Sequence, residues 1–142
     1  MSALNIDAAR TIIRETLAKS HEMGLKPMSV IVLDAGGHPL AFEREDGAAP
    51  GRYAIAEGKA YGAVMLGMPG SAQMARAEAQ HYFMTAANGA FGGKVVPVPG
   101  GVIVRGADGA ILGAVGVTGD TSDNDAAAAL AGIEAAGLKG DA

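Results

Sequence analysis

The chain has 142 residues, 49% of them apolar and only 18% charged, which allows one hydrophobic core but leaves little charge to cover a surface. Self-association into a homo-oligomer is the expected consequence. A net charge of -4 with no run of Lys or Arg argues against a nucleic-acid partner, and the absence of Cys excludes disulfides, thiolate metal sites, iron–sulfur clusters and covalently attached haem.

Met1–Arg10 lacks a basic segment followed by an apolar core, and no apolar run is long enough to span a bilayer. A cytoplasmic protein without a membrane partner is therefore expected. Ile6, Ala9, Ile13 and Leu17 fall at helical spacing and predict a first helix, capped by Ser2 or Asn5, that reaches about Met23. Gly24 is placed to end it and Pro27 to prevent its restart. Met28–Leu33 is apolar on both alternating faces except at Ser29, the pattern of a strand covered on both sides. Asp34–His38 supplies a turn, and Pro39–Arg44 the return strand, with Leu40 and Phe42 expected on one face.

Glu45–Arg52 reads as a loop, followed by a second helix from Tyr53 to Leu66. Ser71 is placed to cap a third helix running without interruption to Asn88. A Gly/Pro-rich connection with an extended piece at Val95–Val98 leads to strands Val102–Arg105 and Ala110–Thr118, joined by Gly106-Ala107-Asp108-Gly109. The last helix starts at Ser122, with Asp125 three residues on in a variant capping box, and runs to Ala136. The order α-β-β-α-α-β-β-α, with two hairpins, predicts one α/β (α+β) domain over 1–142: a mainly antiparallel sheet flanked by helices.

Lys59 stands out because it shares the apolar row of its helix with Ile55 and Ala63. Such a lysine either snorkels along apolar surface or faces a pocket, where it would bind a carboxylate or act as an acid/base. Arg44, among Glu43, Glu45 and Asp46, is either a surface ion-pair partner or an anion clamp. His21 ends the apolar stripe of the first helix, where a histidine serves the helix dipole or a metal. His38 follows Gly-Gly in a turn. His81 shares a row with Met74, Ala77 and Met84, which suits a core histidine or one that reaches an iron. No two-His zinc spacing, P-loop, dinucleotide fingerprint or nucleophile elbow is present. Asp34 and Asp46 form a conceivable carboxylate pair, although Asp34 is explained by the turn alone.

Val32-Leu33-Asp34-Ala35-Gly36-Gly37-His38-Pro39-Leu40-Ala41-Phe42-Glu43-Arg44 resembles the signature of the GlcG/HbpS family of haem-binding-like proteins, which is related to the C-terminal domain of PduO-type corrinoid adenosyltransferases. Lys59-Ala60, Pro99-Gly100-Gly101-Val102 and Gly113 to Gly119 follow in the family's order, and Asp125 and Gly132 fit its last helix. Tyr61-Gly62 departs from the pair usual after Lys-Ala.

The resemblance implies a profilin-like or PAS-like fold in homo-oligomers. Asp34, Gly36, Gly37, Arg44, Lys59, Gly100, Gly101 and Gly116 carry over as its signature residues. It also implies a small-molecule ligand, for which haem or a related tetrapyrrole is the preferred reading. His21, His38 or His81 would then supply an axial ligand, and Arg44 and Lys59 would pair the propionates. The alternative is a cofactor-independent catabolic enzyme, of isomerase or lyase type, with Lys59 and Arg44 acting on a small organic carboxylate or carbonyl compound. On either reading the two cations are expected to converge on one cavity.

Overall fold

A computed structural model describes residues 3–142. Its elements are α1 (Ile6–Glu22), β1 (Ser29–Asp34), β2 (Pro39–Arg44), α2 (Arg52–Leu66), α3 (Gly70–Ala79), α4 (His81–Ala90), β3 (Gly101–Arg105), β4 (Ile111–Thr118), α5 (Ser122–Ala135) and β5 (Lys139–Asp141). The strands form one antiparallel sheet in the order β2-β1-β4-β3-β5. The expected α/β architecture and element order hold, with one helix divided and one short edge strand added.

Asn5 caps α1, its side chain accepting from the Ala8 amide at 2.8 Å, while the alternative cap Ser2 lies outside the described residues. The β1–β2 hairpin is held by Asp34, whose Oδ1 accepts from the Gly36 and His38 amides at 2.9 Å each. Gly37 takes φ 82°, a conformation open to glycine and strained for other residues. Leu40 and Phe42 do not share a face. The register skips Leu40 between the pairs Val32–Ala41 and Leu33–Pro39, so a bulge turns Leu40 to the α1 side while Phe42 faces α2.

Two apolar layers enclose the sheet. Ile12, Ile13 and Ile133 of α1 and α5 pack on Val30, Val32, Val102, Val115 and Val117 of one face. The other face receives α2 through small residues, Ala56, Ala60 and Ala63. This contact is backbone against backbone: a Cβ added at Gly116 would stand 2.0 Å from the Ala56 carbonyl oxygen, and one at Gly101 would stand 2.2 Å from that of Lys59. The high Ala and Gly content thus lets a helix lie directly on the strands.

Further local expectations are corrected. Gln80, at φ -142° and ψ 64°, splits the expected third helix into α3 and α4, and Arg76 stacks on Phe83 across the break, 4.1 Å from the ring centroid. Ser71 is not a cap: Pro69 holds that position, and the Ser71 hydroxyl donates to the Ala142 carbonyl. Thr121 rather than Ser122 caps α5, accepting from the Asn124 amide. Val95–Val98 forms no strand, whereas Lys139–Asp141 pairs with β3, fastened by Arg105 to Asp141 at 2.9 Å. No helix among the described residues is long and apolar enough to cross a membrane.

Candidate functional site

Lys59 neither snorkels nor faces a cavity. Its side chain is 3% exposed, and Nζ donates to the Val117 carbonyl at 2.9 Å and to Asp125 Oδ2 at 3.0 Å. It passes the end of β3 at Gly100, where an added Cβ would lie 2.8 Å from Nζ. The pair therefore ties α2, on one face, to the start of α5, on the other. Burial pushes the Lys59 pKa down, and the Asp125 carboxylate opposes that shift. Asp125 Oδ1 also accepts from the Asp120 amide, so both its oxygens are engaged. Two of the three N–H donors are used, the charge is matched by Asp125, and burial closes the ammonium to an outside ligand.

The larger surface cavity, about 550 Å³, lies between the end of α1 and the segment after β2, lined by His21, Leu25, Pro27, Arg44, Glu45 and Asp46. Glu45 is its fixed point. Oε1 accepts from the Met28 amide at 2.8 Å, and Oε2 is hydrogen-bonded to His21 Nε2. The Glu45 side chain is 18% exposed and that of His21 69%. Since a carboxylate only accepts, Nε2 carries the proton, and in the neutral ring Nδ1 keeps a lone pair.

The remaining candidates are dispersed. Arg44 borders this groove at the exposed end of β2, so it and Lys59 do not meet in one cavity. His38 sits at the opposite end of β2, its side chain 79% exposed beside Asp34, and lines neither this groove nor the cavity at His81. Asp34, at the turn of the β1–β2 hairpin, and Asp46, beyond the other end of β2, lie at opposite ends of the hairpin and form no pair. His81 opens α4 and lines a smaller, more apolar cavity of about 260 Å³ with Ala77, Met84, Val95 and Pro97. Among the described residues there is no cluster of three side chains suited to hold a metal ion.

The family model for haem degrading protein HbpS-like matches residues 4–134. The chain belongs to this HbpS-like family. Its fold is similar to that of a PduOC–haem complex, at TM-score 0.86 and 22% identity over 99% of both chains. It is also similar to a double mutant of Streptomyces reticuli HbpS, at TM-score 0.79 and 30% identity over 94% of this chain and 87% of that one. Klebsiella pneumoniae ORFY matches at TM-score 0.83 and 22% identity, over 96% and 92% of the two chains. Among curated protein sequences none matches significantly.

Within this HbpS-like fold, the partners of two candidate residues, Lys59 and His21, are not evident in the sequence. Asp125 reads as a helix cap, and Glu45 as one of several acids around Arg44. Each is defined by a partner distant in the chain, 66 residues away for Asp125 and 24 for Glu45.

Proposed function

We propose that the chain binds haem or a related tetrapyrrole in the groove between the end of α1 and the segment after β2, with His21 facing the iron. The observation that carries this is the anchoring of His21 by Glu45. A histidine that ligates a metal is ordinarily oriented by a carboxylate on its other ring nitrogen, and Glu45 is itself fixed by the Met28 amide. The groove volume falls within the usual range for ligand sites, roughly 300–1,000 Å³, and the cavity at His81 falls below it. Arg44 on the rim suits a propionate. The family's description and the haem in the PduOC complex support the choice of ligand. Bound haem would supply the redox and ligand chemistry of its iron; the chain supplies a positioned imidazole and a charged rim.

Hemin titration followed by the Soret band tests the reading. His21→Ala is expected to abolish the shift seen with the unaltered chain, while His38→Ala and His81→Ala leave it in place. Glu45→Ala is expected to weaken binding about 10- to 100-fold. An unchanged Soret shift in His21→Ala would overturn the assignment, and loss confined to His81→Ala would move it to the smaller cavity.

A further inference from the structure

The corner where α2 begins holds a cation without a counter-charge. Arg52, first residue of α2, is half-buried and donates Nη1–H to Thr118 Oγ1 at 2.7 Å. No carboxylate forms a salt bridge with it among the described residues. Lys59 does not relieve this, since its charge is matched by Asp125 and the two cations repel. Gly51, which precedes α2, offers no side-chain cap; the Arg52 amide donates to the Ala49 carbonyl at 3.1 Å, and the helix start still adds positive potential to the corner.

Beneath Arg52 lies an unused donor. Ser29 stands directly opposite Thr118 in the β1–β4 register, and both are fully buried. Residues so paired point to the same face. The next pair along, Ile31 and Gly116, fixes that face as the α2 side, because Gly116 abuts the Ala56 backbone. Ser29 Oγ has no hydrogen-bond partner among the described residues. A hydroxyl taken out of water without a partner is costly, and one such group paired across the sheet with the residue that holds an unpaired guanidinium marks a place for an acceptor. Arg44 stands opposite Ser29 on its other side, on the edge strand.

We infer that this corner binds the carboxylate of a small organic acid, with Arg52 supplying the charge and Thr118 and Ser29 the hydroxyl donors. A carboxylate carries the single negative charge that Arg52 lacks, and its two oxygens accept from a guanidinium and a hydroxyl together. Arg52, Thr118 and Ser29 do not line the groove, so the corner is tested by itself with a free carboxylate. Because Arg44 borders both, the carboxylate belongs either to a free acid or to a propionate of the groove's ligand.

Titrating the isotope-labelled chain with sodium propionate tests this, with propionamide as the uncharged control. Propionate, but not propionamide, is expected to shift the amide signals of Ser29, Arg52 and Thr118 saturably. Arg52→Gln and Ser29→Ala are each expected to weaken that binding by about tenfold, the loss of one charge-assisted hydrogen bond. Ser29→Ala removes an unpartnered buried hydroxyl, so its unliganded form should unfold at the same or a higher urea concentration. A loss of propionate binding there reports on the site and not on folding. Hemin compared with its dimethyl ester separates the sources: weaker binding of the ester, erased by Arg52→Gln, assigns the carboxylate to the tetrapyrrole, and equal binding assigns it to a free acid. Absence of saturable propionate shifts, or shifts unchanged in both variants, would overturn the inference.

Discussion

Two pairs of a base with a carboxylate, Lys59–Asp125 and His21–Glu45, join distant segments of this chain and differ in what they leave open. The first is closed: side-chain exposures are 3% and 1%, and every atom that carries charge is engaged. The second is open, with His21 69% exposed over a groove and one ring nitrogen without a partner among the described residues. A closed pair holds two layers in one arrangement and can take no ligand. An open pair fixes the orientation of one group and leaves that group available. Marking chemistry by charged residue type alone does not separate the two roles; the accounting of hydrogen-bond partners does.

The sharpest way to break the contrast is to remove one member of the closed pair. Asp125→Ala leaves the Lys59 ammonium buried against one carbonyl, and a loss of about 3–5 kcal/mol in urea unfolding is expected. Lys59→Met combined with Asp125→Leu should cost less than Asp125→Ala alone, since no charge is then stranded. A loss below about 1 kcal/mol for Asp125→Ala would mean that the pair behaves like a surface bridge.

Next in size is the packing that encloses Lys59. Gly116→Ala drives a Cβ to 2.0 Å from the Ala56 carbonyl oxygen, so α2 must lift off the sheet. About 1–3 kcal/mol should be lost, with the urea midpoint as the readout. Gly89, whose added Cβ would meet nothing within 4 Å, provides the control: Gly89→Ala in the last turn of α4 should be neutral or stabilising. The open pair predicts the reverse distribution. His21→Ala should change stability by no more than about 0.5 kcal/mol while removing hemin binding.

Much of the closed region was legible in sequence, and its key partner was not. Asp34, with Gly37 two residues before Pro39, announces the hairpin because each residue has a local reason to be there. Lys59 was conspicuous for standing in an apolar row, yet nothing local selects Asp125 from the other acids as its partner. The break at Gln80 has neither Gly nor Pro to signal it; Arg76 and Phe83 join the two helices across it. Lys139–Asp141 has no strand-like composition, and it pairs with β3 where Arg105, distant in sequence, holds Asp141 at the sheet edge. The groove escaped for the same reason: His21 and Glu45 are ordinary surface residues until the fold places them together. Local chemistry was readable, and partnerships across the chain needed the tertiary structure.

The smallest effect expected concerns the rim of the closed pair. Asp120 donates its amide to Asp125, and its own carboxylate accepts from the Asn124 side chain and from the Thr121 and Lys26 amides. These bonds, that from Asn124 foremost, lower its pKa from 3.8 to about 2. An acid held below its ordinary value stabilises the fold where it is ionised in both states, and this contribution is lost as the folded form takes up its proton. The stabilisation from Asp120 is therefore complete above pH 3.8 and disappears as the pH falls to about 2. Asp120→Asn keeps an acceptor oxygen but cannot ionise. Its urea midpoint should lie slightly below that of the unaltered chain at pH 5 and converge with it towards pH 2. A gap that stayed constant across that range would show that the carboxylate charge at the rim contributes nothing and that the closed pair depends on Lys59 and Asp125 alone.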